Sequence, residues 1–231
     1  MALQIIGLSG KAGVGKDYIA QQFLQPLGFQ QISLADHFKL TIVGRKLATF
    51  QEVFHTKPPH VRKLLQEEGT ERGRNVYGED VWCDTLYATV LLHAARNNQT
   101  RWVIPDVRFP NEVQFIQQVG GVVYRIWAPD RAATSPLTPE QRQHPSETAL
   151  DRYDPIELPD GTFDFGERFF DALIDNRVFR NDSLDLQLTH ALRVHDILAP
   201  NQSFERGTGV IDLGPMLIFV PERDVARVYS D

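Results

Sequence analysis

With 231 residues the chain is long enough for one well-buried α/β domain or a domain with a small appendage, and its 42% hydrophobic and 23% charged residues are ordinary for a soluble globular protein. The single cysteine, Cys83, excludes an intrachain disulfide, no apolar stretch approaches the roughly 20 residues of a membrane span, and the strand-like start runs straight into a loop with no room for a cleavable signal, so a cytoplasmic protein without a membrane partner is expected. The net charge of −6 argues against a general nucleic-acid binder, although residues 1–80 carry +2 and residues 81–231 carry −8, which leaves a local basic cleft open.

The predicted elements alternate. Leu3 to Leu8 reads as a short buried strand, and residues 17–27 place Ile19, Ala20, Phe23, Leu24 and Leu27 at helical spacing. FQQIS (29–33) is a strand and residues 35–50 look helical. PPHVRKLLQEEGTERGR (58–74) opens with prolines suited to a first helical turn and is expected to end at Gly69. Residues 79–98 form a long helix, RWVIPDV (101–107) a buried strand, 110–120 a helix closed by Gly120 and Gly121, and VVYRIWA (122–128) another strand. Between Pro129 and Pro145 the chain turns polar and is expected to be a loop. FFDALIDN (169–176) is the last core strand, 183–198 a helix, and VIDLGPMLIFVP (210–221) a hairpin or edge strand that patches a sheet edge or a partner surface. Strands alternating with helices predict an α/β fold of three layers, with a mostly parallel central sheet and helices on both faces.

Four stretches carry chemistry. In GLSGKAGVGKD (7–17), an apolar strand enters a glycine-rich turn and then a helix, so several backbone N–H groups and the positive end of the helix converge on one point. Gly10, four residues, Gly15 and Lys16 have the spacing of a phosphate-binding loop. In VIPDVRFPNE (103–112), Asp106 and Arg108 follow an apolar strand whose end faces the ligand crevice of an open α/β sheet. The carboxylate suits Mg²⁺ or a sugar hydroxyl, and the guanidinium suits a phosphate. RKLLQEEGTERGR (62–74) with Trp82 reads either as a basic helix and glycine turn holding a monophosphate beside a stacking ring, or as a solvated helix over a core tryptophan. HPSE (144–147), after a loop holding Arg131 and Arg142, is either a lid or a helix start capped by Ser146. The histidines at 37, 55, 60, 93, 190 and 195 have no metal-ligand spacing, and Cys83 is expected to be inert.

In this order, SGKAGVGKD, LADHFK, VRKLLQEEGTE, Trp82, VIPDVRFPNE and HPSE resemble the phage-type deoxynucleoside monophosphate kinases, over roughly residues 3 to 195. The resemblance implies the nucleoside monophosphate kinase variant of the P-loop fold over residues 1–200, a lid at about 129–147, and a C-terminal extension over 201–231. It implies transfer of the γ-phosphate of ATP to a deoxynucleoside 5′-monophosphate, and a homodimer. Gly10, Lys11, Gly13, Val14, Gly15, Lys16, Asp17 and Tyr18 would bind ATP. Asp17 would meet Mg²⁺ where a hydroxyl is usual, a hard oxygen ligand suited to that ion. Tyr18 stands where the family has threonine. Lys39, Arg62, Gly69, Thr70, Trp82, Asp106, Arg108, Glu112, His144 and Glu147 would surround the acceptor, with Lys16, Arg62 and Arg108 neutralising charge in transfer. The alternatives are a kinase for another small acceptor or a modified base, and a nucleotide-sensing module.

Overall fold

Residues 3–159, 163–164, 167–177 and 183–204 are described by a computed structural model. They fall into two compact units, one of residues 3–9 and 16–122, the other of residues 10–15 and the described residues from 123 to 204.

In the first unit, β1 (Gln4–Ser9) and β2 (Gln30–Gln31) both pair in parallel with β3 (Arg101–Val107), Ile6 opposite Val103 on one side and Gln31 opposite Val103 on the other. Ile5, Ile6 and Leu8 of β1 and Trp102 to Ile104 of β3 are buried without alternation, the pattern of parallel strands covered on both faces. The helix after the loop is helical throughout its predicted length, although its middle is widened. It begins as α1 (Lys16–Ile19), passes through a π turn at Ala20–Leu24 and a 3-10 turn at Gln25–Leu27, and stops at Gly28, whose φ of 85° is a left-handed cap. Ile19, Ala20, Phe23 and Leu24 form its buried face.

The 35–50 helix is shorter than its pattern. Helix α2 (Asp36–Gly44) yields at Lys46, which has a φ of 57°, and a separate π turn runs Glu52–Thr56. Ile42, Val53 and Val61 join these segments to α3 (Pro59–Gln66) in one apolar cluster. The glycine at 69 does not end that helix. The chain continues through a π stretch, Glu67–Arg74, into α4 (Asn75–Tyr77). A Cβ at Gly69 would touch the Phe38 ring at 3.4 Å, and one at Gly73 would lie 2.3 Å from the Trp82 ring. Both glycines serve close packing, and the glycine turn expected there is instead a stretch of helix. Helices α5 (Val81–Asn97) and α6 (Pro110–Gln118) complete the unit.

In the second unit, β4 (Val122–Trp127) pairs in parallel with β7 (Ala172–Asp175), Tyr124 opposite Ala172, and both strands are buried throughout. Three short helices, α7 (Pro129–Ala133), α8 (Pro139–Arg142) and α9 (Pro145–Thr148), replace the loop expected there, each opened by its proline. β5 (Ile156–Glu157) and β6 (Phe163–Asp164) form a small antiparallel pair. Helix α10 (Leu184–Val194) is pinned to β7 by one amide. Gln187 accepts from the Asp175 N–H at 2.8 Å and donates to the Asp175 carbonyl at 2.9 Å and the Ser183 hydroxyl at 3.0 Å.

The α/β expectation of mostly parallel strands among helices holds. No helix among the described residues is long and apolar enough to cross a membrane. The hairpin expected at 210–221 lies outside the described residues. Gln187→Ala strands a buried N–H and C=O of β7, and is expected to cost about 2–4 kcal/mol in a urea titration, the scale of two buried unpaired polar groups.

Candidate active site

The loop after β1 takes its shape from its glycines. Gly10, Gly13 and Gly15 have φ of 143°, 85° and 98°, conformations that L side chains rarely adopt. Space excludes a side chain as well: a Cβ at Gly10 would stand 2.5 Å from the Ile126 carbonyl oxygen, and one at Gly15 would stand 2.6 Å from the Asn176 amide nitrogen. That amide donates to the Val14 carbonyl at 2.8 Å. The chain then enters α1 at Lys16, a lysine only 8% exposed. Asp17 follows in the first turn, exposed, with no hydrogen bond or ion pair among the described residues. Tyr18 is 47% exposed, its ring edge-on to Phe23.

At the end of β3 the Asp106 carboxylate is committed to the segment before α2. It accepts from the Leu34 N–H at 3.0 Å, the Ala35 N–H at 3.3 Å and the Ser33 hydroxyl. That explains how LADHFK is fixed at this edge, and it makes Asp106 less available as a metal ligand than its position in the sequence suggests. Lys39 reaches back to Asp36 at 3.3 Å and lies 5.4 Å from the Phe54 ring centre. Arg62 donates from Nε to the Lys57 carbonyl at 2.9 Å, leaving its head exposed. Lys57 has no motif to mark it in the sequence, yet Lys39, Arg62, Asp17 and Asp106 all act on its ammonium. Burial, then the neighbouring Lys39 and Arg62, push that ammonium below the usual lysine range.

Trp82 is a wall of this unit. Its indole N–H donates to the Gly69 carbonyl at 2.8 Å, and its ring meets Phe38 at a centroid distance of 5.0 Å. Thr70 is exposed beside Gly69. Glu112 is buried and accepts from the Arg108 and Phe109 N–H groups at 2.6 and 3.0 Å and from the Arg74 guanidinium. Burial pushes its carboxyl up, opposed by Arg74 and the Arg108 N–H. Glu112 thus fixes the backbone that carries the half-buried Arg108, and Arg74, which the sequence reading passed over, is its partner. Burial likewise pushes the Cys83 thiol up to about 12, leaving it inert.

The second unit holds a cavity of about 280 Å³, lined by Lys11, Ala12, Val14, the end of β4 and residues of α7 to α9. Arg142 staples its rim by donating to the carbonyls of Ala132, Ala133, Ser135 and Leu137. Glu147, expected beside the acceptor, accepts from the Ala12 N–H at 2.9 Å, and Asp151 pairs with Lys11 at 2.8 Å. The cap of α9 is His144, whose Nδ1 accepts from the Ser146 N–H at 3.2 Å; the expected cap, Ser146, donates.

A protein of Acanthamoeba polyphaga mimivirus, provisionally named deoxynucleotide monophosphate kinase, is 30% identical over 166 residues, which span 63% of this chain and 81% of that protein. The chain belongs to the deoxynucleotide monophosphate kinase family. It is a nucleotide-binding phosphotransferase of the kinase type. No family model matches it. Among solved structures, a provisionally named kinase from Chloroflexus aurantiacus is 15% identical with a TM-score of 0.42, covering 84% of this chain and 95% of that one. Shikimate kinase from Bacteroides thetaiotaomicron is 16% identical with a TM-score of 0.40, covering 83% and 98%. Likenesses this slight add nothing about substrate.

Gly73→Ala would drive a methyl into the Trp82 ring and the Glu68 carbonyl. It is expected to cost about 1–3 kcal/mol, as overpacked sites do, and to alter the near-ultraviolet dichroism of the aromatic wall.

Proposed function

We propose that this kinase moves the γ-phosphate of ATP to a deoxynucleoside 5′-monophosphate, giving the diphosphate. The observation that carries the reading is the loop: three glycines in conformations reserved for glycine deliver the chain to a buried lysine at a helix start, the arrangement that cradles phosphates with backbone N–H groups. The acceptor class rests on family membership and on the cations at the end of β3.

In this reading Gly10 to Asp17 hold the phosphates of ATP, and Lys16 places its ammonium on the group in transfer. Arg62, Arg108 and Lys39 hold the acceptor's phosphate, Gly69, Thr70 and Trp82 its nucleoside, and Asp106 and Glu112 fix the backbone beneath it. Catalysis is then positioning and charge neutralisation, with no covalent intermediate. Asp17 fits Mg²⁺, since it is an exposed hard-oxygen ligand one residue after Lys16 and is committed to no other side chain. Among the described residues no three acidic, histidine or cysteine side chains cluster, so phosphate and water oxygens would complete the ion's shell. When bound, the ion would draw off charge that develops on the transferring phosphoryl group.

Lys16→Ala is expected to lower kcat by about 10² or more, the scale of removing one preorganised charge donor, while the melting temperature stays near that of the parent. Near-native turnover would remove the loop from the reaction. Arg62→Lys and Arg108→Lys are each expected to raise the acceptor KM or lower kcat with the ATP KM unchanged, because lysine cannot copy two parallel hydrogen bonds to a phosphate. Steady-state kinetics with the two substrates varied separately check this, and equal losses for both substrates would place the acceptor elsewhere.

A further inference from the structure

Lys57 sits where a lysine has little reason to be unless a ligand needs it. It closes the Glu52–Thr56 turn with a φ of 45°, a left-handed conformation that costs a non-glycine residue energy. It is half-buried, and its ammonium makes no hydrogen bond or ion pair among the described residues. Two other cations share its neighbourhood, Lys39 from α2 and Arg62 from α3. Two carboxylates, Asp17 and Asp106, also act on the Lys57 ammonium, and neither forms an ion pair with it. Asp106 is occupied by Ser33, Leu34 and Ala35, Asp36 already answers Lys39, and Asp17 stands at the start of α1. The turn is also held in this shape, since the Lys57 carbonyl accepts from Arg62 Nε and Lys39 lies on the ring of Phe54, three residues earlier. Like charges held in a fixed geometry are unfavourable alone and favourable around a dianion.

We propose that Lys57 is a further phosphate-binding residue of the acceptor site, its ammonium completing with Lys39 and Arg62 a three-cation cradle for the acceptor's 5′-monophosphate. This rests on the functional reading above and extends it to a residue outside every motif. The strained backbone aims the lysine, and the carbonyl it turns toward Arg62 aligns the second cation. One residue therefore supplies one phosphate contact directly and orients another.

The test is calorimetric titration of parent, Lys57→Gln and Lys57→Arg with dAMP, dCMP, dGMP and dTMP, and separately with ATP. Gln keeps the backbone carbonyl that holds Arg62 and removes only the charge. The expected result for Lys57→Gln is an acceptor Kd raised about tenfold or more, the scale of one charged hydrogen bond, with ATP affinity unchanged and Lys57→Arg largely restoring the acceptor. A second arm follows acceptor affinity upward from about pH 7.5, where the monophosphate is already a dianion. The parent is expected to weaken as its depressed lysine loses its proton, and Lys57→Arg to hold its affinity over the same range; this arm stands even if Lys57→Gln does not fold. The facing groups are Lys39, Arg62, Asp17 and Asp106, all of them present in both proteins. An unchanged acceptor Kd in Lys57→Gln, equal losses for acceptor and ATP, or identical pH profiles for parent and Lys57→Arg overturns the proposal. A parent chain that binds none of the four monophosphates overturns the functional reading itself, and Lys57 with it.

Discussion

At Gly10, Gly13 and Gly15, in the turn that follows the first strand, a side chain has no place. At Gly10 it would strike a carbonyl oxygen of β4, and at Gly15 an asparagine amide, while Gly13 needs a backbone angle costly to anything else. The chain must therefore pass those three positions as bare backbone, while the Ala12 N–H between them is held by the Glu147 carboxylate at 2.9 Å. Everything proposed for the donor nucleotide follows from this steric constraint. The loop is then followed at once by Lys16, a buried lysine at the helix start.

The first unit brings Lys39, Lys57 and Arg62 near one another. Two of its carboxylates hold backbone. Asp106 accepts two N–H groups and a hydroxyl from the segment entering α2, and Glu112 accepts two N–H groups at the end of β3. Each acid thereby becomes a positioning group for the backbone that carries the cations. An arrangement of this kind favours a multiply charged anion over a neutral metabolite.

Much of this was legible in the sequence, where the physics is local. The glycine spacing, the apolar strands 3–8 and 101–107 and the prolines opening helices each act on their own neighbours, and each appears where the pattern puts it. What was not legible depended on partners distant in sequence. Gly69 reads as a helix end because glycine is a poor helix former, yet it faces Phe38 and the helix runs on. The polar stretch after Pro129 reads as loop, but its three prolines at successive helix starts were the available signal for α7 to α9. The resemblance places Glu147 beside the acceptor, and its contact with the Ala12 N–H of the loop has no local signal in the sequence. Lys57 carried no signal at all, since its significance comes from Lys39, Arg62, Asp17 and Asp106 meeting around it.

The most direct test of the central claim is acceptor-dependent release of ADP from ATP and Mg²⁺, followed over the four deoxynucleoside monophosphates with the nucleotide products resolved by chromatography. The account predicts that at least one monophosphate raises ADP release well above the rate without acceptor, and that its diphosphate appears in equal amount. ADP release that no monophosphate stimulates, or that yields no deoxynucleoside diphosphate, would contradict it.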